Sequence, residues 1–172
     1  MLITNGSELS SVTAAEIKRL GAETVLVCGG EFSVSDEVKA AVEALGVKAE
    51  RLFGRTAADT AIEVAKRAAS VRAANACVVA TSASFYDALS VSPWSYASAM
   101  PVYLTDSAGM LSAETLAAIK AAGYEHAYIV GGEYSVSAAA ARALAAEGGI
   151  AAANVERLFG QSGGAAETAL AG

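Results

Sequence analysis

Two pairs of adjacent glycines, each followed by a glutamate, have a residue type and spacing that could bind a ligand. Each pair follows an apolar run, and the four residues are Gly29, Gly30, Gly131 and Gly132. Adjacent glycines let backbone N–H groups approach a ligand closely, and at the start of a helix such groups bind anions. The spacing matches neither the dinucleotide fingerprint nor the P-loop, and the carboxylates of Glu31 and Glu133 would repel an anion. Two interpretations therefore stay open: a structural turn, and a contact with an anion or a sugar.

The glycine pairs belong to an internal repeat. The segment 27–35 returns as 130–137, and each copy leads through a helical pattern to the tetrapeptide Arg-Leu-Phe-Gly, at Arg51–Gly54 and Arg157–Gly160. The copies lie about 100 residues apart, which indicates a chain built from repeats of that length. We expect the arginine of each tetrapeptide to anchor a loop or to bridge repeats, with ligand contact as the alternative.

Polar side chains at other strand ends are further candidates for ligand contact. Arg55 follows Gly54 at the end of a predicted strand, and its counterpart in the second copy is Gln161. Hydroxyls suited to sugar or phosphate oxygens follow the next strand, at Thr81, Ser82 and Ser84. Asp87 stands at a predicted helix start, where N-capping explains it, and it has no evident catalytic partner. These residues predict a binding site and no catalytic one.

Four aromatic residues lie close together in the sequence after these hydroxyls, at Phe85, Tyr86, Trp94 and Tyr96. We expect their rings to pack between sheet and helix or between repeats, because large aromatic side chains dominate such interfaces. The alternative is a platform on which sugar rings stack.

Catalytic and metal-ion chemistry have little support in the sequence. His126 is the single histidine, and neither a nucleophilic serine turn nor a cluster of metal ligands accompanies it. Cys28 and Cys77 are expected to be small core residues of buried strands, and without a CxxC pair a zinc site is not expected. We therefore predict no catalytic residues, no cofactor and no metal.

The composition of the 172-residue chain limits its partners. The net charge of −6 argues against nucleic acid and against broad attraction to an anionic polymer or membrane, although not against a local basic site. Hydrophobic residues make up 54% of the chain, but no run reaches the roughly 18 residues of a membrane helix, so no membrane insertion is expected. Met1 leads directly into an apolar run without a signal peptide, which fits either a cytoplasmic protein or a piece of a longer secreted one. The repeat pattern favours a piece of a longer secreted protein.

Short apolar runs alternate with helical patterns along the chain. The predicted strands are Leu2–Thr4, Thr24–Cys28, Val47–Phe53, Ala76–Ala80, Val102–Thr105 and Tyr128–Val130. This alternation predicts an α/β fold, in which repeated β-α units form a parallel, Rossmann-like or flavodoxin-like sheet with helices on both faces. Ligands of such sheets meet the carboxyl ends of the strands, where the candidate residues lie.

Two helix boundaries carry specific expectations. Ser112 and Gly123 are predicted to cap the two ends of one helix. A short helical piece, Asp87–Val91, is predicted to end before Ser92, and a new helix to begin at Trp94. The reason is that Pro93 fits the first turn of a helix and not its middle.

Several motifs follow one another in a fixed order along the chain. They are Arg51–Gly54 with Asp59–Ala61, Phe85–Ser90 followed by Pro93, Pro101–Thr105, Val130–Gly132 and Val136–Ser137. This ordered set resembles the cell-wall-binding repeat type 2 family of Gram-positive surface proteins. Two positions depart from the family pattern: Ala57-Ala58 stands where the family has Arg-Tyr, and Tyr86 stands where it has proline. Loss of that arginine removes a contact to an anion or to a neighbouring repeat.

The resemblance implies a non-catalytic module of a secreted protein, anchored to an anionic secondary polymer of the cell wall. It divides the chain into the second half of an upstream repeat (1–50), one complete repeat (51–156) and the start of a further repeat (157–172). Repeats of this family commonly assemble in threes around a pseudo-threefold axis, so neighbouring repeats of the same chain are expected partners. The expected location is extracellular, at the cell wall, within a longer protein.

Two other functions stay open. One is a cytoplasmic, doubly wound α/β protein that binds a nucleotide at the glycine turns. The other is a structural module whose repeats pack on one another, in which case we expect the fragment to dimerise or trimerise. A physical domain from Leu2 through Ala80, cutting across the sequence repeat, is an alternative to the division given above.

Overall fold

The computed structural model of the chain describes residues 1–160 and divides them into two compact units. Unit 1 is Met1–Thr56, and unit 2 begins at Ala57. The boundary lies a few residues after Arg51, where the sequence repeat begins, because the strand that contains Arg51 pairs within unit 1. The predicted start of a further repeat at 157–172 lies mostly outside the described residues.

Unit 1 has two helices and two parallel strands, which are α1 (Ser11–Arg19), β1 (Thr24–Cys28), α2 (Asp36–Glu43) and β2 (Lys48–Leu52). Each helix begins where a serine hydroxyl accepts a backbone N–H: Ser10 accepts from Thr13, and Ser35 accepts from Val38. Such caps satisfy N–H groups that have no partner inside the helix, so they fix where each helix starts.

Unit 2 contains a four-stranded parallel sheet in the order β4-β3-β5-β6. In chain order its elements are α3 (Ala57–Ala69), β3 (Ala76–Ala80), α4 (Tyr86–Ala97), β4 (Val102–Leu104), α5 (Ala113–Ala122), β5 (His126–Val130), α6 (Ala138–Ala146), a 3₁₀ turn (Ala152–Asn154) and β6 (Val155–Leu158). The predicted caps of α5 are confirmed, because Ser112 Oγ accepts the N–H of Thr115 and Gly123 ends the helix.

Helices cover both faces of the sheet in unit 2. On one face Cys77, Val79 and Ile129 pack against α3, α5 and α6, as predicted for the cysteine. On the other face Val78 and Val130 pack against α4. Side chains of a strand alternate between faces, so a continuous apolar strand such as β3 is buried on both sides. The predicted α/β fold with a parallel sheet between helices is therefore confirmed.

Only one face of the sheet in unit 1 is covered within residues 1–56. On that face Val27 packs against Ile17 of α1 and Val42 of α2. Leu26 alternates to the other face, where it is 39% exposed, and Cys28 is exposed as well. The prediction that Cys28 is a buried core residue is therefore wrong, because no helix of unit 1 lies over it.

The predicted strand Leu2–Thr4 is absent from unit 1. Its counterpart β4 exists because it pairs with β3, and residues 1–56 contain no strand that corresponds to β3. The alternative domain from Leu2 through Ala80 is also wrong. Ala80 belongs to β3, which pairs with β4 and β5 inside unit 2.

The helix α4 runs unbroken through Pro93, so the prediction that a new helix begins there is wrong. Proline removes one backbone donor and usually ends or kinks a helix. Val91 before the proline and Trp94 after it both pack against the sheet, Trp94 with its ring edge-on to Tyr128 at a centroid distance of 4.8 Å. Packing on both sides of Pro93 therefore keeps the helix continuous.

Candidate functional site

The carboxyl ends of the unit 2 strands bring several predicted residues to one edge of the sheet. Of the predicted residues, Thr81 follows β3 and Gly131 follows β5, and Thr105, which was not among them, follows β4. These strands are parallel neighbours, so the three residues lie at the same edge. Asp87, in the first turn of α4, lies against Gly131 at this edge. This edge is the candidate binding site of unit 2.

The three predicted hydroxyls after β3 differ in exposure. Thr81 is buried, and its Oγ1 accepts a hydrogen bond from the N–H of Ala83 at 3.0 Å. This bond closes a tight turn, so Thr81 shapes the loop. Ser82 is exposed and Ser84 is half-buried, which makes these two the accessible hydroxyls of the set.

Asp87 lies directly against the second glycine turn. Its carboxylate oxygen Oδ2 would be 2.6 Å from a Cβ atom added at Gly131, and Gly131 has a φ of 109°. Both facts require glycine at this position. The N-capping expectation for Asp87 is wrong, because Phe85 holds the N-cap position of α4 without a side-chain hydrogen bond. The helix dipole favours the carboxylate of Asp87 in the first turn instead.

The backbone of the glycine turns is largely committed to internal hydrogen bonds. The N–H of Gly29 donates to the carbonyl of Leu52, and the N–H of Gly131 donates to the carbonyl of Leu158, both at 2.9 Å. An N–H group bonded within the protein is not available to an anion. These contacts favour the interpretation of the glycine pairs as structural turns, while their contact with a ligand stays a prediction.

Arg51 and Arg157 anchor the glycine turns. In unit 1 the guanidinium of Arg51 donates to the carbonyls of Gly29 at 2.8 Å and Val34 at 2.7 Å. In unit 2 the guanidinium of Arg157 donates to the carbonyl of Gly131 at 2.8 Å. A guanidinium carries five N–H donors in a planar fork, so one arginine can hold several carbonyls of a loop. The loop-anchoring prediction is confirmed.

The two arginines differ in their acidic partner. Arg51 pairs with Asp36 at 2.9 Å, whereas Ala138 occupies the corresponding position after the second copy's serine cap. Burial lowers the pKa of Arg157, and the charge of Glu133 acts in the opposite direction. The anchoring contact is therefore made in both units, and among residues 1–160 only unit 1 adds an ion pair to it.

A second loop also contacts each glycine turn. In unit 1 the N–H of Ser35 donates to the carbonyl of Gly6 at 2.7 Å, and in unit 2 the N–H of Ser137 donates to the carbonyl of Gly109 at 3.0 Å. These supports were not predicted, although polar turns with glycine recur at both places in the sequence. Hydrogen bonds from two directions make each glycine turn a well-fixed loop.

The remaining predicted residues belong to unit 1. Gly29 and Gly30 form its glycine turn, and Arg55 is exposed near its boundary. The predicted set is thus divided, with Thr81, Asp87 and the second glycine pair in unit 2. Gln161, the counterpart of Arg55, lies outside the described residues. Ligand contact by Arg55 stays a prediction.

Exposed aromatic rings follow the carboxyl ends of the strands. The four phenylalanines of the chain are all more than half exposed, at 100% for Phe32, 55% for Phe53, 65% for Phe85 and 54% for Phe159. Tyr134, the counterpart of Phe32 in the second copy, is also fully exposed. The available sequence signal was the recurrence of an aromatic residue after each glycine pair and in each Arg-Leu-Phe-Gly tetrapeptide.

Of the four aromatic residues, only Trp94 packs between sheet and helix as expected, and packing of the other three between repeats stays a prediction. Phe85 and Tyr86 contact each other, with ring centroids 4.5 Å apart, but both stay exposed. Tyr96, near the end of α4, is 87% exposed. The rings of these three residues are therefore available at the surface of unit 2.

Across residues 1–160, no group of three or more His, Cys, Asp or Glu side chains is placed to hold a metal ion. None of the described helices combines the length and apolar character needed to cross a membrane.

His126 is exposed at the start of β5. Burial raises the pKa of the Cys77 thiol to about 12, so it stays protonated and a poor nucleophile near neutral pH.

Known proteins resemble this chain in sequence and in fold. The family model described as cell wall binding domain 2 (CWB2) matches residues 51–141. The N-acetylmuramoyl-L-alanine amidase LytC of Bacillus subtilis (strain 168) is 30% identical over 137 residues, which are 80% of this chain and 27% of that protein.

Two solved structures from Clostridium difficile have a similar fold. Cwp8 has a TM-score of 0.84 and 28% identity, and the likeness covers 98% of this chain and 28% of that one. Cwp6 has a TM-score of 0.85 and 24% identity, over 96% of this chain and 26% of that one. The chain spans about a quarter of the length of these relatives.

Proposed function

Because the chain belongs to the cell wall binding domain 2 family, we propose that it is a non-catalytic module that anchors a longer secreted protein to the cell wall. The family match over residues 51–141 is the observation that carries the proposal. Family membership implies association with the wall, outside the membrane.

The proposed ligand is an anionic secondary polymer of the wall. The net charge of −6 opposes such a ligand, so local groups must supply the attraction. Arg55 supports the proposal in unit 1 because it is an exposed cation. Ser82 and Ser84 support it in unit 2, since accessible hydroxyls can donate to phosphate or sugar oxygens.

The glycine turns serve the proposed site mainly as supports. Gly29 and Gly131 use their N–H groups inside the protein, and their carbonyls are held by Arg51 and Arg157. A loop fixed in this way loses little conformational entropy when a ligand binds. Direct contact of Gly30 and Gly132 with the polymer is a secondary part of the proposal.

We also propose that a neighbouring repeat covers the open face of unit 1. In unit 2, β5 lies between β3 and β6 and is covered by α4. Its counterpart β1 pairs with β2 alone among the described strands, and Leu26 on its open face is exposed. This difference supports the interpretation of residues 1–50 as the second half of a repeat. In the isolated chain the same face is expected to cause dimers or trimers.

The proposal is tested by sedimenting the protein with purified Bacillus subtilis wall sacculi, before and after hydrofluoric acid removes the anionic polymers. We expect binding to the intact sacculi and little to the stripped ones, because the charged polymer is the proposed ligand. Equal binding to both would contradict the polymer assignment. No binding to either would contradict wall binding itself.

The variant Arg55→Gln sharpens this test, since it copies Gln161 of the second copy. Loss of one exposed charge contact is expected to weaken binding about two- to fivefold. Arg72→Gln is the matched control, because Arg72 is also exposed but lies after α3, away from the carboxyl end of any described strand. Equal effects of the two substitutions would remove Arg55 from the proposed site.

The alternative of a nucleotide at the glycine turns has weaker support. Asp87 places a carboxylate against Gly131, and Glu133 adds an exposed carboxylate next to the turn. Both charges disfavour a pyrophosphate, and the N–H of Gly131 is already bonded to Leu158.

A further inference from the structure

We propose that the exposed aromatic rings at the carboxyl ends of the strands are stacking platforms for uncharged sugar rings of a wall polysaccharide. The inference rests on the proposed wall-binding function and specifies the chemical part of the polymer that these loops contact. It starts from the burial pattern, because phenylalanine is among the residue types most often buried and this chain exposes all four.

The exposed rings are concentrated at one kind of place in the fold. Six of the seven exposed aromatic residues follow the carboxyl end of a strand, and they are Phe32 after β1, Phe53 after β2, Phe85 and Tyr86 after β3, Tyr134 after β5 and Phe159 after β6. Tyr96, in α4, is the exception. A distribution this uneven indicates a shared role at the strand ends.

The two copies of the repeat place their rings on the same support. The ring of Phe53 lies 3.6 Å from the Cβ position of Gly30, and the ring of Phe159 lies 4.0 Å from that of Gly132. Phe32 and Tyr134 stand two residues further along the same turns, which Arg51 and Arg157 anchor. Rings on a fixed turn are pre-organised, which lowers the entropic cost of binding.

The charges beside the rings select an uncharged partner. Glu31 and Glu133 are exposed and directly precede Phe32 and Tyr134. A carboxylate repels a phosphate group but accepts hydrogen bonds from sugar hydroxyls. A flat apolar ring beside hydroxyl-binding carboxylates therefore fits a neutral, hydroxylated sugar ring, and the anionic groups of the polymer are left to residues such as Arg55.

A protein partner fits these loops less well. The central parts of protein interfaces are rich in aromatic residues but depleted of glutamate and serine. Here each fully exposed ring stands between a glutamate and a serine, with Ser33 after Phe32 and Ser135 after Tyr134. The rings are thus embedded in polar surface, as expected for contact with a hydroxylated ligand.

The test uses the double variant Phe32→Ala/Tyr134→Ala of the whole chain and purified Bacillus subtilis wall sacculi. Both side chains are fully exposed, so the fold should be unaffected, and circular dichroism checks this. We expect binding to fall about tenfold or more, since exposed aromatic anchors commonly dominate binding. Tyr96→Ala is the control and should change binding less than twofold, whereas Phe32→Trp/Tyr134→Trp should retain it.

A second arm uses the neutral oligosaccharides that hydrofluoric acid releases from the same walls, with binding measured by calorimetry. The wild type should bind them independently of salt, and the double alanine variant should not. Unchanged binding of the double variant to sacculi would overturn the inference while leaving wall binding intact. A loss of sacculus binding that accompanies a loss of self-association in sedimentation velocity would also overturn it, because the rings would then contact protein. Failure of the wild type to bind sacculi would remove both proposals.

Discussion

The two copies of the glycine-turn segment have nearly the same local structure in different surroundings. In both, a strand leads into Gly-Gly, a serine caps the following helix and an arginine from the next strand holds the turn. In unit 2 the counterpart of Cys28 is Val130, which is fully buried under α4. In unit 1 Cys28 is exposed, because no helix within residues 1–56 lies over it.

Some structural features of the two copies depend on local sequence alone, and others depend on neighbouring helices and strands. Caps, turns and the arginine anchor depend on residues within one β-α-β segment, and both copies have them. Burial of the second face depends on β3 and α4, which only unit 2 contains among the described residues. The segment therefore forms the same caps, turn and anchor in both units. Among the described residues, its second sheet face is buried only in unit 2.

The largest expected effect comes from a matched pair of substitutions on this second face. Val130→Asp buries an unpaired carboxylate and should destabilise unit 2 by more than about 4 kcal/mol. Cys28→Asp at the corresponding exposed position should change stability by less than about 1 kcal/mol. Urea unfolding followed by circular dichroism measures both, and the fluorescence of Trp94, the single tryptophan, reports on unit 2 alone.

The same two substitutions can also contradict the proposed difference in burial between the two units. If Cys28→Asp were as damaging as Val130→Asp, the second face of unit 1 would be covered in the isolated protein. Self-association measured at the same concentration would then identify the cover as a second copy. If Val130→Asp were harmless, the burial of that side chain under α4 would be wrong.

A smaller difference is expected at the first glycine of each turn. Gly131→Ala should cost about 2–4 kcal/mol, from a φ of 109° and from a clash with Asp87 at 2.6 Å. Gly29→Ala should cost about 1–2 kcal/mol, because its φ of 118° is also strained but its nearest contact is the Cβ of Ser33 at 3.1 Å.

Adding Asp87→Ala measures the part of this cost that comes from the clash. It should restore some of the stability lost in Gly131→Ala and none of that lost in Gly29→Ala, as a double-mutant cycle by urea unfolding would show. No coupling between positions 87 and 131 would mean that the two residues are not in contact.

The parts of the fold that follow from nearby residues were predictable from the sequence. Ser112 and Gly123 cap α5 as expected, and the apolar run Ala76–Ala80 is a strand buried on both faces. The errors concern residues whose state depends on distant partners. Leu2–Thr4 has no strand to pair with in unit 1, Cys28 has no helix above it, and Pro93 is held inside α4 by packing against the sheet.

The candidate site shows the same limit. The spacing of apolar runs and polar residues predicted Thr81, Asp87 and Gly131 near strand ends. The sheet topology brings them to one edge. The contact of Asp87 with Gly131 joins residues 44 positions apart in the sequence and could not be inferred from spacing. The exposure of Phe32 and Tyr134 was equally hidden, because phenylalanine and tyrosine are compatible with either core or surface.

The wall ligand is proposed to bind at the strand-end loops. Hydrogen exchange of the whole chain, with and without soluble polymer released from Bacillus subtilis walls, measures where it binds. Bound polymer should slow exchange in segments 29–34, 81–87 and 131–136, and leave α5 and α6 unchanged. Binding that protects α5 or α6 and none of these loops would contradict the claim.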